Sequence, residues 1–309
     1  SMAAGQFRRK RFSIQNLGDL ALPGPVVASR PSYMVVIFNS CEAFVNGRQS
    51  CEIEFEARPT EARSFSDQIQ LRTNTNNFLN IGFTASVTPG SPSGVIQFQN
   101  APTSLSAAGA EAVITTLPIK DNFNNIVSDG TNVAVNVNSN LLVLGGSQYT
   151  TTNGVINFTI RTRTIKGNGA ISVTSNSASG FINFPILSGP PFGTIGVTSV
   201  QNTMPANGTT QLIVSTNLVY DQYLNLVEDG TPIYFELIGS GSISSGATPK
   251  RFTNITVNGK TNVIIQSGTL AEEMILKIYG GPILNTNNEI VGYAATGEFR
   301  ITQEPGPAF

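Results

Sequence analysis

Apolar and polar residues alternate along most of this chain with a period of two. Val133, Val135 and Val137 alternate with Asn132, Ala134 and Asn136, and Ile156, Phe158 and Ile160 with Asn157, Thr159 and Arg161. Further along, Ile233, Phe235 and Leu237 alternate with Tyr234 and Glu236, and Met274, Leu276 and Ile278 with Ile275 and Lys277. A period of two sends successive side chains to opposite faces of a strand, one toward a core and one toward water. Short runs of this kind, separated by Gly and Asn turns, predict an antiparallel β-sandwich. No window of helical period reaches the length of a stable helix, so the fold class is all-β.

A second periodicity lies above the first. Asp121-Asn122-Phe123-Asn124-Asn125-Ile126-Val127-Ser128-Asp129-Gly130-Thr131 returns one hundred positions later as Asp221-Gln222-Tyr223-Leu224-Asn225-Leu226-Val227-Glu228-Asp229-Gly230-Thr231. A period of that length marks a supersecondary unit copied in tandem, and units of about 100 residues can each bury a core. Pro89-Gly90-Ser91-Pro92-Ser93-Gly94 and Ser188-Gly189-Pro190-Pro191-Phe192-Gly193 punctuate the chain about one period apart. Pro and Gly together interrupt regular structure without making a long tether. Three units are therefore expected, 1–91, 92–190 and 191–309. Within the repeat, Asp129-Gly130 and Asp229-Gly230 read as turns, with Gly supplying a positive φ. Phe123 or Tyr223 and the following apolar pair are expected to pin the loop to its core, and Asn125 and Asn225 to cap it by side-chain to backbone bonds.

The repeated corner resembles that of the bacterial Ig-like (Big-1) repeats of invasin and intimin, over roughly residues 95 to 301. Leu105-Ser106-Ala107-Ala108-Gly109 and Met204-Pro205-Ala206-Asn207-Gly208, each ahead of an apolar strand, fit the same pattern; the region around Ala271-Glu272-Glu273-Met274 departs from it. Residues 7 to 88 resemble the HYDIN/ASPM-like β-sandwiches of bacterial surface proteins, through the opening Phe12 to Asp19, the cysteine pair and Ala57-Arg58-Pro59-Thr60, which carries an inserted Arg. The resemblances imply three tandem immunoglobulin-like β-sandwich domains without catalytic activity.

Composition narrows the chemistry. Charged residues are 12% of the chain and the net charge is −1, so nothing draws it to nucleic acid. His and Trp are both absent. Without His there is no Ser-His-Asp or Cys-His catalysis and no imidazole metal site. No stretch approaches the roughly 18 apolar residues of a membrane span, and none reads as the apolar core of a signal peptide. Ser1-Met2 reads as a remnant of cloning, and the chain as part of a longer parent with further domains and its targeting signal elsewhere.

Few residues invite a chemical role. Cys41 and Cys51 are the only cysteines. As a disulfide they would clip two strands, contribute about 3 kcal/mol and indicate an oxidising compartment; two buried thiols are the alternative. Glu52, Glu54 and Glu56 share one strand face and read as solvated, offset by Arg48, Arg58 and Arg63; a calcium site or half of a glycosidase pair is the competing reading. Asp121 with Asp129, and Asp221 with Asp229, are explained by turn chemistry, with calcium as the alternative. Arg8-Arg9-Lys10-Arg11 reads as a frayed, solvated beginning, or as a contact for an anionic surface. Three Asn-x-Thr matches read as chance, and no cofactor is implied.

Two functions are carried forward. The first is a non-catalytic stalk of a bacterial cell-surface or secreted protein, with the periplasm as second location, presenting a binding region to a protein or glycan receptor on another cell. Three sandwiches end to end would span on the order of 100 Å. The second is a glycan- or receptor-binding module of a phage or surface fibre, for which Tyr149 and Tyr293 are the aromatic candidates. A carboxylate glycosidase finds no convincing acid pair.

Overall fold

The computed structural model describes residues 1–72, 78–246 and 248–305, and every regular element among them is a strand. The alternation predicted from the sequence is realised at the residues named: Val133, Val135, Ile156, Phe158, Ile160, Ile233, Phe235, Leu237, Met274, Leu276 and Ile278 are all buried. They divide between the cores of the second and third of three immunoglobulin-like sandwiches, and the first has a core of its own.

In the second unit one sheet runs Ser93–Val95, Ser177–Leu187, Gly167–Ser175, Asn132–Val137 and Gln148–Thr150. The facing sheet contains Glu111–Thr115, Asn157–Thr162 and Leu141–Leu144. The third unit repeats this plan with Gly193–Thr194, Ile290–Glu304, Glu273–Leu284, Pro232–Ile238 and Arg251–Ile255 against Val197–Ser199, Gln211–Thr216, Asn262–Gln266 and Ser242–Ile243. The hundred-residue period is a structural period. Ile119 and Val219, Val127 and Val227, Val133 and Ile233, and Val135 and Phe235 occupy matching places at 3% exposure or less. Pairing keeps the same register, Val135 opposite Val173 and Phe235 opposite Ile278.

The sheets are antiparallel except along each unit's last strand. The opening strand of each unit lies parallel to that unit's last strand: Met2–Ala3 beside Val87 and Thr88, Ser93–Val95 beside Ser177 to Ser179, and Gly193–Thr194 beside Ala295 and Thr296. The second and third units differ most in their closing hairpins. Glu273–Leu284 and Ile290–Glu304 form a hairpin much longer than its counterpart in the second unit, where Gly167–Ser175 turns at Asn176 into Ser177–Leu187.

The first unit packs Arg8–Gln15, Ser50–Ala57 and Met34–Asn39 against a sheet of Phe78–Thr88, Ser64–Arg72 and Val26–Ser29. Met2 is buried with Ala4, Phe65 and Val87. One expectation is corrected here. Arg8 to Arg11 are not frayed; they are the first half of a strand paired in register with Ser50–Ala57, Arg9 opposite Glu56 and Arg11 opposite Glu54.

Candidate functional site: the two joints

The repeated corner forms around one carboxylate. Asp121 Oδ1 accepts the N–H groups of Phe123 (2.8 Å) and Asn125 (2.9 Å), closing an Asx turn. Asp121 Oδ2 accepts the Asn125 side-chain amide (2.9 Å) and the N–H of Gly90 in the linker (2.7 Å). Asp221 does the same with Tyr223 (2.8 Å), Asn225 (2.9 Å and 2.8 Å) and Gly189 (2.8 Å). Each linker glycine thus supplies a donor as well as a break in regular structure.

Asp129-Gly130 and Asp229-Gly230 close the far side of the corner. Both glycines have φ above +79°. Asp129 Oδ1 accepts from Asn153 N–H and Asp229 Oδ1 from Asn258 N–H, each at 2.6 Å. Those partners begin Asn153-Gly154 and Asn258-Gly259 turns, with positive φ at all four residues. A Cβ on Gly154 would come within 2.4 Å of Ile126, and one on Gly259 within 2.3 Å of Leu226. The sequence reading overlooked these Asn-Gly pairs, although their recurrence after each corner was a usable signal.

The asparagines do more than cap their own loop. Asn125 Nδ2 donates to the Thr60 carbonyl of the first unit (2.7 Å), and Asn125 Oδ1 accepts from the N–H of Ala62 (2.9 Å). Asn225 repeats this on the second unit, donating to the Thr164 carbonyl (2.7 Å) and accepting from the N–H of Lys166 (3.0 Å). One amide therefore uses both ends across the joint while its position is fixed by the aspartate. The repeat aromatics stay about 40% exposed, so they do not pin the loop to its core. Phe123 instead lies over Gly5 of the first unit, where an added Cβ would meet its ring at 2.3 Å.

The second joint has further ties. Lys166 Nζ donates to the Leu226 carbonyl (2.8 Å) and lies 3.4 Å from Glu228 Oε1, which also accepts from Ser188 N–H (3.0 Å). The residue matching Glu228 in the first joint is Ser128.

Burial pushes the Asp121 and Asp221 carboxyls up. Bonds from the Asn125 or Asn225 side chain and from the surrounding N–H groups outweigh it, and both carboxyls sit below their ordinary value. Burial also acts on Glu228, and the Ser188 N–H and the Lys166 charge outweigh it in the same direction. Four donors occupy both oxygens of each aspartate, which leaves no lone pair aimed at a cation. Among the described residues no three His, Cys, Asp or Glu side chains gather closely enough to hold a metal.

The remaining candidates lie apart from the joints. Cys41 and Cys51 are bonded, with Cα atoms 5.1 Å apart, and both are buried at the end of the first unit opposite the joint. Glu52 and Glu54 both bind Arg11 (3.1 and 2.8 Å), and Glu56 binds Arg9 (3.0 Å). The offsetting charges therefore come mainly from the adjacent strand; Arg48 and Arg63 pair with Asp19 and Glu61 instead. Tyr149 is half-buried against Phe158 and is no open platform.

No protein-family model matches the chain, and no curated protein matches it. Solved structures do. FdeC, an Escherichia coli adhesin, aligns over 98% of this chain and 99% of its own at 12% identity, with a TM-score of 0.51. InvD of Yersinia pseudotuberculosis aligns over 99% and 96% at 13% identity, also with a TM-score of 0.51. Invasin, a bacterial integrin-binding protein, aligns over 97% of this chain and 61% of its own at 13% identity, with a TM-score of 0.49. The shared property is the fold, a tandem array of Ig-like sandwiches. The resemblance of residues 7–88 to HYDIN/ASPM-like sandwiches has no support among these matches.

Proposed function

We propose that this chain is a non-catalytic, adhesive stalk segment of a bacterial cell-surface or secreted protein, built to hold a binding region away from its anchor. The observation that carries the reading is the duplicated joint. The same aspartate, asparagine and linker glycine make the same bonds at both unit boundaries, so the repeat specifies orientation between domains as well as the turn within one. We place those boundaries at 1–91, 92–190 and 191–309. A disulfide in the first unit supports an oxidising exterior, with the periplasm as the second choice. FdeC, which shares the fold, is an adhesin, and that supports a receptor of protein or glycan on another cell as the partner.

Small-angle scattering of the intact chain tests the reading. A maximum dimension on the order of 100 Å, unchanged between low and high salt, is expected of three units whose joints rest mainly on short hydrogen bonds. A compact particle would overturn it, as would one whose dimension varies with ionic strength.

A further inference from the structure

The outer face of the large sheet in the third unit carries an aromatic group that the fold does not require. Thr253, Tyr234, Tyr279 and Thr296 lie side by side across four strands. Tyr293 packs onto both neighbouring rings, 4.8 Å from Tyr279 at 25° and 5.4 Å from Tyr234 at 49°. All three rings are half-exposed. A shallow groove beside them ends at Arg251 and Glu236. Arg251 Nε and Nη2 both bind Glu236 Oε1, at 3.0 and 2.8 Å, and Tyr279 Oη lies 3.4 Å from Glu236 Oε2.

The second unit serves as an internal control. By register it places Ala134, Thr174 and Ser179 where the third has Tyr234, Tyr279 and Thr296, and Asn136 where the third has Glu236. The same sheet therefore folds with small, non-aromatic residues at these positions. Tyr293 belongs to added chain: between the paired Gly280 and Ala295 lie residues 281–294, fourteen in all, whereas between Ser175 and Ala178 lie only 176 and 177. The insertion is what lays a third ring on the other two.

We propose that Tyr234, Tyr279 and Tyr293, with the Arg251–Glu236 pair, form a binding site for a neutral hexopyranose oligosaccharide. Half-buried aromatic rings present flat apolar surface at low entropic cost, suited to the C–H face of a pyranose. The guanidinium and carboxylate beside them offer donors and acceptors to vicinal hydroxyls. Because those two charges neutralise each other, the site favours an uncharged ligand over a polyanion. Over Tyr234 and Tyr279 a peptide would gain no strand pairing, since both lie on strands paired on both sides. The site lies wholly within one unit and is independent of the stalk reading, so either can fail alone.

The test is titration of the intact chain with cellohexaose, maltohexaose and mannohexaose, followed by calorimetry and by tyrosine emission, which no Trp obscures. At least one hexasaccharide should bind, with Tyr279→Ala and Tyr293→Ala each weakening it tenfold or more. Arg251→Ala should weaken it too, and Tyr149→Phe, remote in the second unit, should leave it unchanged. Tyr293 and Arg251 lie outside the core, so their variants separate loss of the site from loss of the fold. The proposal is overturned if no hexasaccharide binds at millimolar concentration, if binding survives both tyrosine changes, or if heparin or an unstructured peptide takes the face in preference.

Discussion

Asn225→Ala is the sharpest probe of the joint, because it removes the amide that spans two units while leaving the sandwich cores intact. Three bonds disappear: those to the Thr164 carbonyl, from the Lys166 N–H, and to Asp221 Oδ2. The first two cross the joint. At about 0.5–1.5 kcal/mol net for each, their loss favours the open joint by about 1–3 kcal/mol. With each 1.4 kcal/mol worth about tenfold, the open population rises roughly fivefold to somewhat over a hundredfold. The third unit's own stability should fall by no more than the single bond to Asp221, about 0.5–1.5 kcal/mol, and the second unit's should not change, since Asn225 contributes nothing to either apolar core. Residual dipolar couplings give the appropriate assay. In the unaltered chain the second and third units should report one alignment tensor; in Asn225→Ala they should report two of unequal magnitude. Asn125→Ala should loosen the first joint at least as much, because that joint lacks the Lys166–Glu228 ties. A single shared tensor across both joints in the Asn125→Ala, Asn225→Ala double variant would refute the reasoning.

Three other outcomes are expected. The Asp121 and Asp221 carboxyls are held below their ordinary value in the folded chain, so their contribution is complete above the ordinary value and is lost as pH falls below it and through the lower value of the folded chain; dipolar couplings should stay constant from pH 7 to about 5 and diverge between units only below about 4, and divergence beginning near pH 6 would count against the carboxylates. Leu224 sits at φ 64° with 80% exposure where its counterpart Asn124 has φ 67°; Leu224→Asn should raise the third unit's stability by about 0.5–1 kcal/mol, read as a higher midpoint in chemical denaturation. Replacing Cys41 and Cys51 together with Ser should lower the first unit's stability by about 3 kcal/mol, while hydrogen exchange in the other two stays unchanged.

The all-β class and the duplicated corner were legible because both are local. Alternation at Val133 to Val137 or Met274 to Ile278 needs no knowledge of what lies opposite, and Asp-Gly turns carry their own chemistry. What an asparagine faces is not local. Asn125 and Asn225 were expected to cap their own loop because a repeated polar residue in a turn has that use in any single domain. Their partners Thr60 and Thr164 lie 65 and 61 positions away, respectively, in chain of unrelated pattern. The basic run Arg8 to Arg11 was misread for a similar reason: four charges mask the alternation of a strand until the glutamates opposite are known. Tyr293 could be named from exposure preferences, but its neighbours Tyr234 and Tyr279 come from other strands, and only register assembles them.

Each unit opens with a short strand laid parallel to its closing one, and that arrangement governs how the molecule bears load. When tension is applied through the two ends of a unit, its terminal strands are drawn in opposite directions along their common axis. The backbone bonds between Ser93–Val95 and Ser177 to Ser179, or Gly193–Thr194 and Ala295 to Thr296, are then sheared together instead of being peeled apart one at a time. Leu105–Ser106 and Thr203–Pro205 continue the same parallel contact further along the closing strands. A chain of such units put under tension would meet its greatest resistance at these seams, before a sandwich began to unravel.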